Sequence, residues 1–109
     1  MSHTTQDIIC AISSPPGVGA IALIRLSGEN CISLVNGVFS KDILNTKGYS
    51  IHFGNIIKND QTLDEVLVTV FRNPHSFTGE ESVEIACHGS IFIQHEIISL
   101  LIDNGARMA

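Results

Sequence analysis

Apolar positions along the chain follow two periods, and their boundaries fall at glycine, proline and asparagine. Residues 8 to 12 are a short apolar run that ends in Ser13-Ser14-Pro15-Pro16-Gly17. Prolines remove backbone donors and glycine admits positive φ, so the pattern predicts a strand followed by a loop. Residues 20 to 26 (Ala-Ile-Ala-Leu-Ile-Arg-Leu) are almost continuously apolar, the pattern of a strand covered on both faces. Cys31, Val35, Val38 and Phe39 then recur at helical spacing. With Ser27 as cap and Glu29 in the first turn, they predict a helix over about 28 to 39, weakened by Gly37.

Residues 49 to 57 alternate loosely and 63 to 71 alternate clearly, with Val66, Val68 and Val70 on one face and Leu67, Thr69 and Phe71 on the other. Asn59-Asp60-Gln61 supplies turn chemistry between them, which predicts a hairpin. The polar stretch from Arg72 to Glu81 reads as a loop long enough to carry function. Residues 82 to 88 alternate strictly, with Glu84, Ala86 and His88 opposite Val83, Ile85 and Cys87. Ser90 can cap a helix over about 90 to 103 whose face is Ile93, Ile97, Leu100 and Leu101, and Gly105 stands where a left-handed terminal residue belongs. No internal repeat is visible. The order β-β-α-β-β-β-α predicts an α+β domain of about five strands, with two helices packed on one face of the sheet.

Composition narrows the function. The 109 residues suit one domain, and 44% hydrophobic against 16% charged residues argues against disorder. A net charge of −5 offers no basic field to attract phosphate backbones, which disfavours direct nucleic-acid binding by this segment. Cys10, Cys31 and Cys87 are odd in number and widely spaced, matching neither a disulfide framework nor a zinc site. The uncharged stretch from 8 to 24 lacks a basic leader and is broken by two prolines, so it reads as neither signal peptide nor membrane span. A reducing, cytoplasmic setting is expected.

Most candidate chemistry falls away on inspection. Gly17-Val18-Gly19 precedes a strand, and no G-x-x-x-x-G-K motif followed by Ser or Thr occurs, so a phosphate loop is excluded and no GTP hydrolysis by these residues is expected. The five histidines form no metal-ligand pair. Ser13 and Ser14 read as turn hydroxyls, because an activated nucleophile needs an adjacent base. Glu84 and His88, four strand residues and so about 13 Å apart, are too distant to hydrogen-bond; His88 reads as a strand-end imidazole bonded to loop backbone or as a functional group. Arg25 and Glu84 are charges within apolar or alternating strands and need partners. Two readings stay open for them: a structural salt bridge, or polar recognition on the wall of a small-molecule site.

Residues 12 to 28 (ISSPPGVGAIALIRLSG), 64 to 71 (DEVLVTVF) and 73 to 89 (NPHSFTGEESVEIACHG), followed by a helix and Asn104-Gly105-Ala106-Arg107, resemble the N-terminal domain of the MnmE, or TrmE, family of tRNA modification GTPases. The resemblance implies a domain, here residues 1 to 109, that binds 5-formyl- or 5,10-methylene-tetrahydrofolate and forms a homodimer. It also implies a fold similar to the folate-binding domain of the glycine-cleavage T-protein. In the family a helical domain and a GTPase domain using GTP, magnesium and potassium follow. With a flavin-dependent partner protein, the enzyme modifies C5 of the wobble uridine of tRNA. The chain stops just before the family's P-G-E-F-T segment, and so reads as an excised domain.

Carried over by motif, the family's folate contacts fall on Arg25 and Glu84, and a family lysine lies beyond Ala109. Val18 stands where the family has a loop arginine, His75 where it has Asn, and Ser90 where it has a second glycine. A carboxylate at Glu84 suits the adjacent N3-H and 2-amino donors of a reduced pterin. The competing readings are a purely structural dimerisation module in which Arg25 and Glu84 are an ion pair, and a free-standing relative of the folate-dependent aminomethyltransferases.

Overall fold

The structure, a computed structural model, describes residues 7–13, 20–72 and 80–109. The expected Pro15-Pro16-Gly17 turn, Val18 and His75 lie outside the described residues. Among the described residues, six strands and two helices occur in the order β1 (Ile8–Ile12), β2 (Ile21–Ser27), α1 (Cys31–Asn36), β3 (Tyr49–Lys58), β4 (Gln61–Phe71), β5 (Ser82–His88), α2 (Ile91–Asp103) and β6 (Ala106–Met108). All six form one mixed sheet in the order β3-β4-β5-β2-β1-β6. Each neighbouring pair is antiparallel except β1 and β6.

The valines at 66, 68 and 70 of β4, Ile24 and Leu26 of β2, and Val83 and Ile85 of β5 turn to one face and are buried there. Cys31, Ile32 and Val35 of α1 and Ile97 and Leu101 of α2 belong to the same core, so both helices share that face. Ser90 caps α2 as its sequence position suggests, accepting the Ile93 N–H at 3.3 Å. The β3–β4 hairpin turns at Asn59 and Asp60, both with positive φ, the conformation that a two-residue hairpin loop demands. A bulge between Ile56 and Ile57 sets β4 one residue out of step from Leu63 onward.

Three expectations are corrected. The sheet has a sixth strand: β6 pairs in parallel with β1 through Ile8↔Ala106, Ile9↔Arg107 and Cys10↔Met108. Three residues are too few to display alternation, and a parallel partner almost a hundred residues away leaves no local turn signal.

The first helix is six residues, not twelve, and Ser27 ends β2 and does not cap it. The chain reverses through Gly28, at φ 125°, and Asn30, at φ 73°, before the helix can begin. A β-carbon at Gly28 would lie 2.3 Å from the Asp7 carbonyl oxygen, so only glycine fits that corner. Val38 and Phe39 are core residues, but their backbone bridges to β3, where the Ile57 N–H donates to the Val38 carbonyl at 2.8 Å. Their helical spacing was coincident with a strand-like contact. Gly54 lets the Phe39 ring lie flat on β3, since a β-carbon there would approach that ring to 2.8 Å.

Lastly, β2 is covered on one face only among the described residues. Ala22, Ile24 and Leu26 are buried while Ile21 is 66% exposed and Arg25 is exposed.

Candidate functional site

The face of the sheet turned away from the helices carries the charged and aromatic groups. Register builds it in rows across the strands. Ile51 of β3, Thr69 of β4, Glu84 of β5, Arg25 of β2 and Ala11 of β1 form one row. Phe53, Leu67, Ala86 and Leu23 form the next. His88 stands opposite Ile21 in the row beyond.

The two residues singled out from sequence are therefore direct cross-strand neighbours. Arg25 Nε donates to Glu84 Oε2 at 3.0 Å, and the Nη2 group donates to the same oxygen. Both bonds converge on Oε2, so Oε1 stands outside the pair. The Arg25 side chain is 45% exposed and that of Glu84 18%. Neither is a deeply buried ion, because the face they share is not covered by the helices. An exposed cross-strand pair of this kind contributes about 0.2–1 kcal/mol to stability, too little to explain by itself two charges in apolar strands.

His88 does not bond loop backbone as one of the two readings of it expected. Its partner is a side chain, not loop backbone: Nδ1 lies 2.6 Å from Asp64 Oδ1, and the His88 backbone N–H donates to Asp64 Oδ2 at 2.9 Å. The β4–β5 ladder ends at Leu67↔Ala86, and the Asp64 carboxylate takes the His88 N–H that the ladder no longer serves. Asp64 is 9% exposed whereas the imidazole is 67% exposed. Sequence reasoning missed Asp64. The signal was available, since positions 64, 66, 68 and 70 share a strand face, and a carboxylate in step with three core valines must find a donor.

Where β4 and β5 separate, a shallow cavity of ≈ 150 Å³ opens, lined by Ile21, Phe53, Glu65, Leu67, Ala86 and His88 among others. That volume has room for about one aromatic ring. Cys87 also lines it, but burial, and to a lesser extent the Asp64 carboxylate, pushes its thiol up to about 11. Burial likewise raises Cys31 to about 12 and raises Cys10. The thiols are thus poor nucleophiles. No cluster of three metal-ligating side chains exists among the described residues, and no described helix is long and apolar enough to cross a membrane.

Together these features define a class: an α+β domain with its helices on one side of a mixed sheet and its polar and aromatic groups on the other. The chain belongs to the family described as GTP-binding protein TrmE N-terminus, which it matches over residues 8–109. It is 51% identical over 108 residues to a tRNA modification GTPase MnmE of Flavobacterium johnsoniae, covering 95% of this chain and 23% of that protein. It is also 50% identical over 114 residues to one from Cytophaga hutchinsonii, covering 100% and 25%. A third, from Parabacteroides distasonis, is 49% identical over 110 residues, covering 95% and 24%. The chain thus spans about a quarter of the length of these relatives.

Proposed function

We propose that this chain is the N-terminal, tetrahydrofolate-binding and dimerising domain of a cytoplasmic GTPase that modifies C5 of the wobble uridine of tRNA together with a flavin-dependent partner protein. On this reading the fold is that of the T-protein folate-binding domain. GTP, magnesium and potassium act in portions of the protein outside these 109 residues. The observation that carries the reading is the disposition of Glu84: its Oε1 stands outside the Arg25 pair, on an open face, two strand residues from a cavity of one-ring size. A carboxylate there meets adjacent N–H donors of a reduced pterin, and the two bonds from Arg25 hold that carboxylate in orientation. When bound, the folate supplies a one-carbon unit, so the chain's own task is to hold and orient it.

Dimerisation is supported by the same face. Tyr49 and Ile51 of β3 are 59% and 56% exposed, an apolar edge beside the cavity that a partner surface would cover. The alternative is a structural dimerisation module without cofactor, favoured by the Arg25–Glu84 ion pair itself. Calorimetric titration of the 109-residue chain with 5-formyl-tetrahydrofolate, alongside equilibrium sedimentation at tens of micromolar, tests both parts. Saturable binding to a dimer supports the proposal. A dimer without binding supports the alternative, and a monomer that binds nothing overturns both.

A further inference from the structure

We infer that the Asp64–His88 pair forms the far end of the same site and that the cavity beside it receives an arylamine ring, in a bound folate the aminobenzoyl portion. This inference rests on the folate reading of Glu84 and extends it to groups outside the Arg25–Glu84 motif.

Three observations converge on it. The first is direction. Glu84, Ala86 and His88 occupy successive outward positions of β5, spaced about 6.6 Å apart at 3.3 Å per residue. A ligand anchored at Glu84 and extended along β5 passes over Ala86, whose small side chain lies between Leu67 and Leu23, and reaches His88. The second is shape. The ≈ 150 Å³ cavity at that point is lined by Phe53, Leu67 and Ile21, with room for one ring and not for a fused pair. The pterin stays at Glu84 and the single ring of the ligand enters the cavity.

The third is hydrogen-bond polarity. Nδ1 of His88 is engaged with Asp64, so Nε2 is the ring nitrogen left for a ligand, and the nearby Glu65 carboxylate is an acceptor. The Glu65 carboxylate beside apolar walls suits a ring carrying an N–H donor, and an imidazole nitrogen stands next to it. Glu65, with the Asp64 carboxylate behind His88, makes this end of the site acidic, which rejects the ligand's own carboxylates, so the glutamate tail leaves toward solvent. His88 is thus a binding residue, and Asp64 is a positioning residue that sets the tautomer and orientation of the ring.

The test compares two probes on one set of variants by calorimetry: tetrahydrofolate, and 6-methyl-tetrahydropterin, which lacks the aminobenzoyl ring and the glutamate tail. The parent chain is expected to bind tetrahydrofolate more tightly than the pterin. His88→Ala and Phe53→Ala should each weaken tetrahydrofolate about tenfold, the loss expected for one hydrogen bond or one ring contact, and leave the pterin unchanged. Asp64→Asn should act in the same direction as His88→Ala. If that variant does not fold, the exposed His88 and Phe53 still decide the matter. Equal binding of both probes by the parent, unchanged tetrahydrofolate affinity in His88→Ala and Phe53→Ala, or equal loss of both probes overturns the inference while leaving Glu84 as the pterin contact. A parent that binds neither probe overturns the folate reading and this inference with it.

Discussion

Replacing Glu84 with Gln separates the two roles open to it, because the structure assigns them different magnitudes. Glutamine keeps the size of the side chain and a carbonyl for Arg25, so the loss to the fold is bounded by the worth of an exposed cross-strand ion pair, about 1 kcal/mol or less. For a domain of this size that is a fall in Tm of about 4–8 °C at most. Toward the cofactor the same change substitutes an NH2 for one acceptor, so a pterin donor faces a donor. Losing a charge-assisted bond and leaving that donor unpaired costs about 2–4 kcal/mol, roughly 30-fold to several hundred-fold in affinity. Scanning calorimetry and folate titration on one preparation measure both. Arg25→Gln and the double variant complete a cycle whose coupling in Tm gives the pair's own contribution. If Glu84→Gln melts several degrees lower and binds tetrahydrofolate as the parent does, the carboxylate serves the fold and the cofactor role is wrong.

Other consequences can be checked independently. Gly28→Ala should destabilise by about 2–4 kcal/mol, since φ 125° and the Asp7 carbonyl leave no room for a β-carbon; urea denaturation with an unchanged midpoint would contradict this. Arg72 Nε donates to the Thr46 carbonyl at 2.9 Å and Nη2 to those of Ile43 and Leu44, while Nη1 meets Glu81 at 3.2 Å. Arg72→Met should therefore raise amide exchange selectively around residues 43–46 and lower stability by about 1–3 kcal/mol. The buried thiols stay protonated in the fold, Cys31 to about 12 and Cys87 to about 11, but ionise near 9.0 when freed. The unfolded chain therefore releases protons first, so stability is full below pH 9 and should decline as pH rises above it, seen as a falling Tm. Iodoacetamide at pH 8 should label all three cysteines only after denaturation.

The strands with their own alternation, β4 and β5, and the hairpin at Asn59-Asp60 were legible because local pattern and tertiary burial agree there. Legibility failed where one residue's neighbours come from distant segments. Val38 and Phe39 mimic a helical face because their partners, Ile57 and Ile56, are unknown to any local window. The apolar run of β2 suggested burial on two sides, yet Ile21 and Arg25 face outward beside strands that are themselves apolar there. Arg25 and Glu84 could be identified as needing partners, and strand register made them each other's. The Asp64–His88 contact bridges 24 residues and depends on where the β4–β5 ladder stops, which no composition rule supplies.

The parallel pairing of β1 with β6 bears on how such a chain is made. Strand β1 leaves a ribosome well before its parallel partner, and its second edge closes only on residues 106–108, with the Ala109 N–H then donating to the Cys10 carbonyl at 3.1 Å. At about 5–20 residues per second, that edge stays open for roughly 5–20 s of translation. During this interval an unpaired, apolar strand edge is available to any neighbouring nascent chain. Synthesis from polysomes, with many copies emerging side by side, is thus the stage at which this sheet is most exposed to mispairing, and slowing elongation near its end would lengthen the hazard.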